Sequence, residues 1–111
     1  MNKEFSVAFI SEKLKREYEV LEEGRYEDKR LYSSIREAIS ELKSNPLCGT
    51  KIAKRLWPKD YVRRYVITNL WKKDLPGAWR IIYTIESDEV RVVSIILEWF
   101  DHKSYEKRFG Y

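Results

Sequence analysis

Glutamine is absent from this chain, and cysteine, histidine and methionine occur once each among its 111 residues. Cys48 has no second cysteine with which to close an internal disulfide. Together with His102 it falls short of a zinc ligand set, so disulfide scaffolds and Cys/His zinc modules are excluded. One histidine also removes a Ser-His-Asp triad as the default, leaving His102 as a single acid or base. Glycine and proline number only 4 and 3, and hydrophobic residues make up 43%. That balance argues against disorder and collagen-like repeats. No apolar run approaches the roughly 18 residues of a membrane helix. Residues 1–19 lack the long apolar stretch and small-residue cleavage site of a secretory signal. The expectation is one soluble, cytoplasmic domain spanning residues 1–111, large enough to bury a core without crosslinks. The carboxylates form no D-x-D or H-E-x-x-H pattern, and there is no Gly-rich phosphate loop. An enzyme built on this chain is expected to work by positioning and charge, with no metal and no other cofactor.

What the chain has in abundance is charge, at 36% of residues, with a net charge of +4. Charge-rich, amide-poor usage resembles that of heat-adapted, thermophile proteins. The placement of the charge says more than its total. Residues 51–73 hold Lys51, Lys54, Arg55, Lys59, Arg63, Arg64, Lys72 and Lys73 against one acid, Asp60. This segment alone exceeds the net charge of the whole chain. Such a block suits a polyanion, whether RNA, DNA or an acidic peptide, or else it is a solvated face.

Hydrophobic spacing sets out the elements. Phe5, Val7 and Phe9 alternate, which predicts a first strand over residues 4–10. Ser11 is placed to cap a helix over 12–23, on which Leu14, Tyr18 and Leu21 share a face, with Gly24 in the position of a C-cap. Leu31, Ile35, Ala38 and Leu42 line a second helix from about Glu27, ended by Asn45-Pro46. A strand is expected over Thr50–Leu56, a helical turn over Pro58–Tyr65, and another strand from Val66 into Lys72-Lys73-Asp74. Leu75-Pro76-Gly77 turns the chain. Residues 79–85 alternate as a strand. Residues 90–99 are apolar on both faces, as in a doubly covered central strand. Residues 101–109 form a last short helix. The order β-α-α-β-β-β-α predicts an α+β fold: a strand and helical hairpin packed on one face of a small, mostly antiparallel sheet, with a short C-terminal helix.

Three groups carry candidate chemistry. Arg80 interrupts an apolar strand, where an unpaired charge is costly, so it pairs with Asp74 or Glu98 or points into a cleft. A hairpin across the Pro-Gly turn brings Lys72 or Lys73 within its reach, and converging cations make a phosphate site. His102 and Tyr105 share a helix face and suit proton transfer, or else cap a turn and pack on the core. Trp57 and Trp71 lie beside cations, as in stacking sites for single-stranded RNA.

The segment Asn69-Leu70-Trp71-Lys72-Lys73-Asp74-Leu75-Pro76-Gly77-Ala78-Trp79-Arg80-Ile81-Ile82-Tyr83-Thr84-Ile85 resembles the core of the RelE/ParE toxin superfamily. The tail from Glu98 to Phe109 resembles that family's C-terminal segment, in which a basic residue or His precedes a Tyr. The resemblance implies a RelE-like architecture of the microbial-ribonuclease type, and a toxin of a type II toxin–antitoxin pair with a cognate antitoxin partner. It further implies metal-independent endoribonuclease action on mRNA held by the ribosome, in which a 2′-hydroxyl attacks the adjacent phosphate. Under that reading Arg80 clamps phosphate, Lys73 stabilises charge or aids proton transfer, His102 is an acid or base, and Tyr105 orients substrate. RNA would run over Trp71, Lys72, Lys54, Arg55, Arg63, Arg64, Lys103 and Arg108. A second family lysine falls on Trp71, so Lys72 substitutes for it only approximately. The alternatives are a ParE-like inhibitor of DNA gyrase and a non-catalytic RNA- or protein-binding relative.

Overall fold

The computed structural model describes residues 3–110. Strand β1, Glu4–Phe9, leads into helix α1, Glu12–Leu21, whose first turn is capped by Ser11 Oγ accepting from the Leu14 amide at 3.1 Å. Helix α2, Tyr26–Ser44, buries Leu31, Ile35, Ala38 and Leu42 in a stripe at helical spacing. Gly24 is not the C-cap expected of it, since that place falls to Glu22 in ordinary helical geometry. Gly24 instead leaves room for Asp28, whose Oδ2 would lie 2.3 Å from an added Cβ and accepts from the Arg25 amide.

After α2 the chain departs from expectation. The strand expected over Thr50–Leu56 is only β2, Thr50–Lys51, followed by a 3₁₀ turn at Lys54–Leu56. Helix α3, Lys59–Arg64, occupies the helical turn. Residues 66–70, expected to be strand, are irregular, and β3 is confined to Trp71–Leu75. Asn69 accounts for the difference. Its side chain takes the place of a strand partner for Ile85, donating to the Ile85 carbonyl and accepting from the Ile85 amide, both at 2.8 Å. Strand β4, Trp79–Ser87, and strand β5, Arg91–Asp101, are longer than expected, and helix α4 is His102–Phe109.

The five strands lie in the order β1-β5-β4-β3-β2. β1 is parallel to β5 and every other pair is antiparallel. One core packs α1 and α2 on a face bearing Ile81, Tyr83 and Ile96. A second core, with Tyr61, Ile82, Leu97, Tyr105 and Phe109, lies on the opposite face under α3 and α4. Helices therefore cover both faces, not the single face expected. β4 and β5, covered on both sides, therefore carry apolar residues toward both faces along much of their length, interrupted by Arg80 on β4 and Glu98 on β5. The register slips between Ile82 and Tyr83, which face Glu98 and Ile96 and leave Leu97 as the extra residue. This bulge lets Leu97 and Glu98 both serve the α4 side. Among the described residues no helix is long and apolar enough to cross a membrane.

Candidate functional site

The pleat of β3 and β4 sorts the candidate cations. Lys73 pairs in register with Ile81, and Lys72 with Ile82. Ile81 belongs to the core beneath α2 and Ile82 to the core beneath α4, so the two lysines point to opposite faces. Lys73 turns to α2, where its Nζ lies 3.1 Å from Glu41 Oε2. Lys72 turns to α4, the side that also holds Arg80. The hairpin therefore brings Lys72 to Arg80 and carries Lys73 away from it.

Tyr105 is the centre of the α4 side. Its ring is fully buried, with the Arg80 guanidinium carbon 4.4 Å and Lys72 Nζ 5.2 Å from its centroid. Both lie within cation–π range. Arg80 Nε is 2.9 Å from Asp74 Oδ1, its neighbour across the β3–β4 ladder. The side chain of Arg80 is 18% exposed and that of Asp74 is 69% exposed, so the pair opens to solvent at the acid. Of the two acids expected for Arg80, it is Asp74 that pairs with it.

Helix α4 is fastened at both ends. At its start Asp101 Oδ1 accepts from the Ser104 amide at 2.8 Å, and that bond holds the Asp101 carboxyl below the usual carboxylate range. His102, beside the cap, sits half-exposed with Nε2 2.6 Å from Glu106 Oε1 one turn on. At the other end Arg108 contacts Asp60 of α3, lies 3.7 Å from Glu98 Oε2, and rests 5.3 Å above the Tyr61 ring. Burial, with the Glu98 carboxylate beside it, pushes the Tyr61 hydroxyl far above its ordinary range. Arg108, expected on RNA, is thus engaged inside the fold. The Asp60–Arg108–Glu98–Tyr61 cluster joins residues far apart in sequence. Its only signal in the sequence was Asp60 as the lone acid of the basic block.

The remaining candidates scatter. Trp71 is half-buried on the α2 side, donates Nε1–H to Asn69 Oδ1 at 3.1 Å, and stacks on Tyr83. Trp57 donates its indole N–H to the Ile52 carbonyl at 2.9 Å. Lys54, Arg55, Arg63, Arg64 and Lys103 are exposed. Arg64 and Lys107 line an open groove of about 710 Å³ with Phe100, Ser104 and Arg108. Among the described residues no group of three or more His, Cys, Asp or Glu side chains could hold a metal ion.

What the α4 side offers chemically is two cations gripping one buried aromatic, open at Asp74. Lys73, the other cation expected beside Arg80, lies on the opposite face of the sheet with Glu41. No curated protein and no solved structure gives a significant match to the chain. A family model does match, over residues 5–97: the ParE toxin of the type II toxin–antitoxin system parDE. The match runs from β1 nearly to the end of β5 and stops short of α4. With the strand arginine, the leading helical hairpin and most of the sheet inside it, the chain belongs to the ParE toxin family of type II toxin–antitoxin systems.

Proposed function

We propose that this toxin acts by binding its target, as a ParE-like inhibitor of DNA gyrase, with residues 1–111 forming one toxin domain. The observation that carries the reading is the separation of the candidate catalytic groups. Cleavage by 2′-hydroxyl attack needs a base for the hydroxyl, an acid for the leaving oxygen, and a cation on the phosphate between them. Here Lys73 lies on the α2 face with Glu41, while Arg80 is held by Asp74 and Tyr105 on the other face. His102 is bonded to Glu106. Each group has a structural partner, and no single phosphate position is served by all of them. Membership of the ParE family supports the same reading and implies a cognate antitoxin partner.

Two assays on the purified chain test it. In the first, gyrase supercoils relaxed plasmid with and without the toxin. In the second, ribosome-bound mRNA is followed in a reconstituted translation system. The expected result is blocked supercoiling with intact mRNA. Cuts at A-site codons that vanish in Arg80→Ala, with supercoiling untouched, would overturn the reading and establish the ribosome-dependent endoribonuclease instead.

A further inference from the structure

Six cations between residues 51 and 64 lie outside the Lys72–Arg80–Tyr105 group. Lys51, Lys54, Arg55, Lys59, Arg63 and Arg64 are all exposed, and none forms an ion pair within the described fold. The one acid of the segment, Asp60, is engaged by Arg108. Six uncompensated cations on 14 residues are a strong local field in a chain of net charge +4.

The segment is also held firmly in place. The Ile52 amide donates to the Leu70 carbonyl at 2.8 Å, Trp57 bonds back to Ile52 at 2.9 Å, and Tyr61 is fully buried between Tyr65 and Phe109. With Tyr61 pointing inward, helical spacing puts Lys59 and Arg63 on the far, solvent side of α3. Asp60 and Arg64 fall on the flank toward α4, as the Asp60–Arg108 contact and the Arg64–Lys107 groove require. The cations of α3 thus sit on an ordered surface rather than a loose tail, and Lys51, Lys54 and Arg55 are exposed on the segment that leads into it.

We infer that this face binds the phosphate backbone of a nucleic-acid duplex, independently of sequence. Charge complementarity names a polyanion, and the aromatics choose its form. Single-strand binding relies on exposed rings for base stacking. Trp57 is half-buried with its N–H bonded, and Tyr61 is buried. A surface with exposed cations and no exposed ring in the segment suits a duplex, whose bases are already stacked and whose phosphates face outward. The inference stands apart from the gyrase reading, because duplex binding can hold or fail whichever enzyme the toxin targets.

The test is fluorescence anisotropy of the full chain with a labelled 20-base-pair DNA duplex, an RNA duplex of equal length, and the single strands, over a salt series. If about four phosphates are neutralised, affinity falls roughly a hundredfold between 50 and 200 mM salt. The duplexes should bind more tightly than the single strands, and the ratio of DNA to RNA identifies the natural source. The paired variants Lys54→Ser/Arg55→Ser and Arg63→Ser/Arg64→Ser should each lower the log–log salt slope by about two. Lys13→Ser/Arg16→Ser removes the same charge from the exposed surface of α1 and should leave the slope unchanged. Thermal melts confirm that each variant is folded. A salt slope below about one, equal loss with the α1 variant, or tighter binding to single strands would overturn the proposal.

Discussion

At the scale of the residue, one ångström-level constraint ties the α2 end to the sheet. Tyr83 donates its hydroxyl hydrogen to the Pro46 carbonyl at 2.8 Å and accepts from the Gly49 amide at 3.2 Å. A Cβ on Gly49 would lie 2.4 Å from the Lys72 carbonyl oxygen and 2.6 Å from the Tyr83 hydroxyl. Backbone on one side and a buried phenol on the other cannot both move aside. Gly49→Ala should therefore destabilise the fold by about 1–3 kcal/mol, read as a lower midpoint in thermal or urea unfolding. The glycine carried no sign of this in the sequence, because the close approach is made by residues 23 and 34 positions away. The lysine pair is the opposite case. Once the register of β3 against β4 is known, alternation alone assigns Lys72 to Arg80 and Lys73 to Glu41. The sequence narrowed the partner to two adjacent residues but could not choose, because a one-residue slip exchanges the faces.

At the scale of the element, helix α4 depends on contacts beyond its own eight residues. A helix this short is marginal alone. Asp101 caps its start, Tyr105 and Phe109 anchor its middle and end, and Arg108 clasps α3 through Asp60. Arg108→Met should leave Asp60 and Glu98 facing each other without their cation. The expected outcome is faster amide exchange across 105–109, with β4 and β5 still protected. Equal loss of protection in the sheet would show that α4 is part of the global fold and not a separately opening unit. The main helices and long strands were legible because their patterns run over many residues: helical spacing on α1 and α2, alternation on β4, and a long apolar run on β5. β2, the 3₁₀ turn and the start of β3 were not. Their conformations are set by Leu70, Asn69 and the buried Tyr61, partners that no local window contains. Arg80 and Tyr105 were legible as candidates, but their mutual contact was not.

At the scale of the whole molecule, Tyr61 and Tyr83 are fully buried and Tyr18 is half-buried. Burial raises the hydroxyls of Tyr18 and Tyr61 far above their ordinary range, and raises that of Tyr83 to about 12. The folded chain keeps protons that the unfolded chain releases from about pH 10 upward. Stability is therefore full below pH 10 and declines as pH rises toward 12. Unfolding midpoints measured from pH 8 to 12 should show this fall, and Tyr83→Phe should make it shallower. The architecture also governs when the molecule comes into being. β1 is hydrogen-bonded within the sheet to β5 alone, with Phe9 in register with Ile96. A strand made first therefore waits for one made last, the slow kind of pairing that long sequence separation imposes. A ribosome making this chain holds no finished sheet until residue 96 has been added. The toxin's sheet is closed by a pairing that spans 87 positions of chain, from Phe9 to Ile96.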